Sequence, residues 1–157
     1  NLLHASEEPT AAGLVGKAAI ASGRRAWAAY QNLLATDRWK SLASQGANPQ
    51  RPLWDSTGVK DPAYDPTRYV VDLVARGCVN TMPQATMDIV AEKGVIPTDS
   101  VTGTEEMAEE VWDQLGDVGI SELDVSNVLE AEGVQKFIDS WEQLKSTVAE
   151  AAKKSVA

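Results

Sequence analysis

The chain has 157 residues, the length of one ordinary domain able to bury its own core. Apolar residues make up 43% and charged residues 24%, which excludes a disordered, collagenous or disulfide-scaffold chain, and no stretch approaches the roughly 20 apolar residues of a membrane helix. The formal net charge of -9 argues against a nucleic-acid partner, which needs clustered Lys and Arg, but is compatible with a small phosphorylated ligand met by one or two local cations.

Residues 1–10, with His4 and Pro9, read as a loose leader. From Ala11 to about Thr36, Leu14, Ala18, Ala21, Trp27, Tyr30 and Leu34 recur at steps near three and four, the pattern of an amphipathic helix. Asp37 to Leu42 either continues it or forms a short second helix, and Gly46-Ala47-Asn48-Pro49 breaks the chain. A strand is predicted at 51–56, ending in small polar residues and opening into a loop through Pro66. Thr67 to Ala75 carries Tyr69, Val70, Leu73 and Val74 on one helical face, with Gly77 as its stop. A second strand is predicted at 78–82, stopped by Pro83, and then a short helix from Ala85 to Lys93.

The chain reads as irregular from Gly94 to Gly103, after which Thr104 is the expected N-cap of a helix running to about Val118. Ser121 and Asp124 form a capping-box-like start for a short helix through Leu129. A last helix is expected from Val134 to Ala152, with Val134, Phe137, Ile138, Trp141, Leu144 and Val148 on one face. Two strands joined by a helix make a βαβ unit with parallel strands and a right-handed crossover. A parallel pair needs cover on both faces and neighbours at its edges, so the chain is expected to be part of a larger sheet protein. Its start at Asn1 fits a cut through a longer chain.

Three segments resemble the actinobacterial and plant-type transaldolase family. The first is Gln50-Arg51-Pro52-Leu53-Trp54-Asp55-Ser56-Thr57-Gly58-Val59-Lys60-Asp61-Pro62-Ala63-Tyr64, against a usual family form of QRPLWASTGVKNPAY. The second is Val79-Asn80-Thr81-Met82-Pro83, and the third is Glu132-Gly133-Val134-Gln135-Lys136-Phe137 followed by Ser140-Trp141. The resemblance runs through nearly the whole chain, in order. It implies an α/β fold: the C-terminal portion of a (β/α)8 TIM barrel, with strands 7 and 8, their helices and further C-terminal helices. Residues 1–157 would then be a single C-terminal fragment of that barrel domain.

The implied activity is cytoplasmic transfer of a dihydroxyacetone unit between sugar phosphates in the pentose phosphate pathway. It proceeds through a lysine Schiff base and needs no cofactor or metal. The Schiff-base lysine and the acid/base carboxylates are expected upstream, so the implied partners are the sugar phosphate and the missing N-terminal half of the barrel, with no nucleic acid or membrane. The fragment alone is expected to be inactive. The rival reading is a non-catalytic binding or scaffold module that kept the motifs.

Barrel enzymes bind at the C-terminal ends of their strands, and the loops after strands 7 and 8 frequently hold phosphate. Ser56, Thr57, Gly58 and Lys60 fall there: two hydroxyls, a residue that lets backbone amides approach an oxyanion, and a compact charge. Asn80, on the second strand, is open between lining the site and satisfying a buried backbone group. Asp55 stands where the family usually has alanine; strand alternation would turn it toward the helix layer, paired with Arg51 or Arg68 or partly exposed. Cys78 reads as a small core residue, which with no second cysteine fits a reducing compartment. Trp27/Tyr30 and Phe137/Trp141 read as helix-packing pairs, and Glu105, Glu106, Glu109, Glu110 and Asp113 as a solvated helix face.

Overall fold

In the computed structural model, residues 2–155 are described. The order is α1 (Leu2–Ala5), a 3-10 turn (Ala11–Leu14), α2 (Ala18–Ala35), α3 (Asp37–Ser44), β1 (Leu53–Trp54), α4 (Arg68–Val71), β2 (Val79–Asn80), α5 (Gln84–Lys93), α6 (Glu105–Asp117) and α7 (Glu122–Ser155). Residues up to Val118 form one unit and those from Gly119 a second.

The two strands are parallel neighbours, with Leu53 opposite Val79 and Trp54 opposite Asn80. The expected parallel, adjacent pairing therefore holds, but each strand is only two residues long. Pro52 cannot donate to a ladder, so β1 starts after it, although its carbonyl accepts from the Val79 N–H at 2.9 Å.

Three helices depart from the sequence reading, each for a local reason. The helix expected from Ala11 is interrupted at Gly16, whose φ is 77°. A Cβ there would lie 2.7 Å from Arg68 Nη1 and 2.9 Å from the Tyr64 ring, so glycine both breaks the helix and admits the Arg68 side chain. Arg68 Nη2 donates to the Gly16 carbonyl. The helix expected over 67–75 ends at Val71. The Ser100 hydroxyl donates to the Val71 carbonyl at 2.9 Å and accepts from the Val74 N–H at 2.8 Å, occupying two groups that a continuing helix would use. Lastly, the two C-terminal helices are one, α7, running through Gly133. The Glu132–Lys136 pair, 3.5 Å apart at i,i+4, bridges the glycine. Ser121 does cap it, accepting from the Asp124 N–H at 3.2 Å. Thr104 stands at the N-cap position of α6 as expected, but its side chain makes no cap bond; its hydroxyl donates back to Val101 O at 2.6 Å.

The core gathers Ile20 and Trp27 of α2 with Leu73, Ala75 and Val101, and Tyr30, Trp54, Tyr69 and Cys78 pack against it. Gly23 lets α2 close on Leu73, since a Cβ there would meet its side chain at 2.8 Å. Two indoles find acceptors, Trp54 Nε1 donating to Leu73 O at 2.9 Å and Trp27 Nε1 to Thr102 Oγ1 at 3.1 Å, whereas Trp112 Nε1 is buried without one. Trp27 and Tyr30 pack as expected, with ring centroids 5.5 Å apart. Phe137 and Trp141 do not: both are exposed on α7, Phe137 at 82%. The acidic face of α6 is solvated as expected, and Glu109 pairs with Arg25 at 3.0 Å. Among the described residues, no helix is long and apolar enough to cross a membrane.

Asp99 organises the turn beneath Trp27. It accepts from the Thr102 N–H at 2.8 Å, the Thr102 hydroxyl at 2.7 Å and the Val101 N–H at 2.9 Å. These bonds, the Thr102 N–H foremost, hold its carboxyl below the ordinary value of 3.8. A depressed folded-state pKa contributes stability above 3.8 that is lost as pH falls through the folded value. Asp99→Ala should therefore lower Tm at neutral pH, with the gap from the parent narrowing below about pH 3.8; melts from pH 7 to 3 check this.

Candidate phosphate-binding loop

Beyond Trp54 the parallel ladder does not continue regularly. The Trp54 carbonyl accepts from the Thr81 N–H at 2.9 Å, so a regular ladder would return from Ser56 N–H to Thr81 O. The bond comes instead from the Thr57 N–H, at 3.1 Å. One extra residue is thus accommodated on the β1 side, as in a β-bulge. Ser56 occupies it with a φ of 55°, the left-handed region a non-glycine residue enters only at a cost. Its N–H is held by the Thr81 hydroxyl oxygen at 3.1 Å.

The side-chain directions differ from those expected, because Trp54, and not Asp55, packs toward the helices. Asp55 does not face the helix layer; it is exposed, and its Oδ1 accepts from the Thr81 hydroxyl at 2.7 Å. Its partner is a threonine, not Arg51 or Arg68. Ser56 is exposed at the strand's C-terminal end. Thr57, expected as a ligand donor, turns inward and is only 6% exposed. Its hydroxyl lies 2.6 Å from Asn80 Oδ1 and 3.0 Å from Thr81 O. One hydroxyl proton cannot serve both acceptors fully, while Asn80 Nδ2 is buried without a partner. Turning the Asn80 amide over gives Nδ2 the Thr57 oxygen as acceptor and leaves the hydroxyl proton to Thr81 O. Asn80 thus braces Thr57 within the loop.

Gly58 does not have a positive φ; its reason is contact. A Cβ there would lie 3.1 Å from Pro83 Cγ and 3.4 Å from Thr86 Oγ1, so the loop rests on the start of α5. Lys60 is exposed, and no ion pair among the described residues engages it. It is followed by two Asp-Pro turns. Asp61 Oδ1 accepts from the Ala63 N–H at 2.9 Å; Asp65 Oδ1 accepts from the Thr67 N–H and hydroxyl, both at 2.7 Å. The Thr67 hydroxyl, and then its N–H, hold the Asp65 carboxyl below its ordinary value. The loop therefore offers the Ser56 hydroxyl and the Lys60 charge outward on a backbone fastened at both ends. Ser56 and Lys60 thus form an exposed rim.

Thr81 is the residue the sequence reading passed over. Its N–H, carbonyl and hydroxyl contact Trp54, Asp55, Ser56 and Thr57, so it joins the two motifs. Its signal was its place opposite the Ser-Thr pair once the strands are aligned.

The match to the Transaldolase/Fructose-6-phosphate aldolase family covers residues 3–148. The chain belongs to this family. A transaldolase of Thermobifida fusca is 52% identical over 146 residues, covering 93% of this chain and 39% of that protein. One of Saccharopolyspora erythraea is 53% identical over 137 residues, covering 87% and 37%. One of Mycobacterium tuberculosis is 54% identical over 132 residues, covering 83% and 35%. The chain spans less than two fifths of the length of these relatives.

If Thr81 anchors the bulge, Thr81→Val should destabilise the protein by about 1–3 kcal/mol, and Thr81→Ser should restore most of the loss. Asp55→Ala removes only an exposed acceptor and should change stability by less than about 0.5 kcal/mol. Denaturant melts of the three variants give the comparison; an Asp55→Ala loss matching that of Thr81→Val would place the anchor on the carboxylate instead.

Proposed function

We propose that this chain supplies the substrate-phosphate side of a transaldolase, which moves a dihydroxyacetone unit between sugar phosphates through a lysine Schiff base. On this reading β1 and β2 are the last two strands of a (β/α)8 barrel. The observation that carries it is placement: Ser56 and Lys60 follow the C-terminal end of a parallel strand, where such barrels bind phosphate. Lys60 supplies the compensating charge and Ser56 a hydroxyl donor. Thr57, Gly58 and Asn80 set the backbone that presents them.

The Schiff base itself is proposed to form in sequence corresponding to the rest of the relatives' length. All eight lysines of the chain are exposed, Lys60 among them. A Schiff-base lysine needs a desolvated or cation-flanked setting, which an exposed position does not supply.

The chain joined to the preceding portion of the Thermobifida fusca relative provides the test. With substrate and borohydride, the fusion should form a reduced adduct mapping to the added portion, and the 157-residue chain alone should form none. In the fusion, Lys60→Met should weaken phosphorylated substrates by about 1.5–3 kcal/mol, with a smaller effect from Ser56→Ala. Unphosphorylated analogues should be little affected. An adduct on any lysine of this chain, or equal losses for both substrate classes, would overturn the reading.

A further inference from the structure

A cavity of about 210 Å³ lies between α2, α4 and α6, lined by residues distinct from the β1–α4 loop just described. Its charged lining is Lys17 and Arg24 from α2 and its lead-in, with Arg68 and Asp72 from α4 and the residue after it. That is three cations against one carboxylate, in a chain whose formal net charge is -9. Asp72 is already occupied, 4.0 Å from Arg68 Nε, and Arg68 also donates to the Gly16 carbonyl and lies 4.7 Å over the Tyr64 ring. Arg24 is different. Its Nε is buried and has no hydrogen-bond partner, although the side chain as a whole is only half-buried. Ile20, Ala108 and Val111 add apolar wall.

We infer that this cavity is an anion site for a small dianion, inorganic phosphate or a short phosphate monoester. The lining charges sum to about two positive units, the charge such a group neutralises. Seven water volumes of roughly 30 Å³ each fill the same space, which accommodates a phosphate and few further atoms. The Arg24 and Arg68 guanidiniums provide planar donors and Lys17, at the exposed rim, a point charge. The preorganised wall comes from Arg68, which the Gly16 carbonyl and Tyr64 hold in place before any ligand arrives.

The test is titration of the 157-residue protein with inorganic phosphate, followed by NMR of the arginine Nε–H groups. Saturable shifts at Arg24 and Arg68 are expected. Lys17→Met and Arg24→Met should each weaken binding about tenfold, Asp72→Asn should tighten it a few-fold, and Lys60→Met should leave these shifts unchanged. Lys17 is exposed, so its variant keeps the test valid should Arg24→Met misfold. Shifts that vanish with Lys60→Met, or an Arg24 signal unmoved by phosphate in the folded protein, would overturn the site. Neither result bears on the β1 loop, whose test reads substrate turnover in the fusion.

Discussion

A parallel strand pair cannot be made locally, and everything at the candidate site hangs on one. Trp54 meets Asn80 only after the chain has left β1, crossed through α4 and returned. With two residues per strand, the ladder itself is too short to define that crossing. Side chains complete the work. The Trp54 indole reaches the Leu73 carbonyl in the returning segment, and Thr81 closes the far end on Asp55, Ser56 and Thr57. Ser100 then ends α4 so that the return can begin. Remove this crossing and Ser56 and Lys60 belong to an ordinary surface loop.

The same dependence explains the strain at Ser56. A non-glycine residue in the left-handed region costs about 1–2 kcal/mol and needs surroundings that over-determine it. Here the residues on either side are both bound to Thr81, so relaxing Ser56 would break bonds at Asp55 or Thr57. The outcome is a serine hydroxyl directed out of the strand end. Trp54 packs on the helical core, so strand alternation turns Asp55, like Leu53, to the opposite face, where it is exposed.

The chain's own pattern gave α5 and α6 nearly to the residue, and the end of α2 but not its start. The strand–helix–strand order was legible in the same pattern, and the long motif placed Ser56, Thr57, Gly58 and Lys60 together. What was not legible depends on distant partners. Nothing near Val71 in sequence announces that Ser100 will take its carbonyl, and nothing near Gly16 shows that Arg68 will lie against it. The bulge was hidden because alternation assumes a regular ladder. Thr57 and Ser56 look alike in sequence as hydroxyl donors, yet one is buried and braced while the other is exposed. The single helix α7 runs on through Gly133, whose helical cost of about 1 kcal/mol is modest beside a 34-residue ladder.

The distribution of exposed apolar groups carries the last step. Leu53 lies on β1 and is 51% exposed, although a strand in a parallel sheet is normally covered on both faces. Both strands also have a free edge among the described residues, which an isolated parallel pair does not tolerate well. α7 likewise carries Val134, Phe137, Ile138, Trp141, Leu144 and Val148 exposed along its length, more than solubility alone would select. These are unmet demands for cover, and they coincide with a family match spanning less than two fifths of the relatives. Further parallel strands beside β1 and β2 would satisfy the edges and bury Leu53 together. On the proposed barrel reading they would also enclose the Ser56–Lys60 rim, where one lysine charge would act on a phosphate with less solvent screening than it meets on an exposed loop.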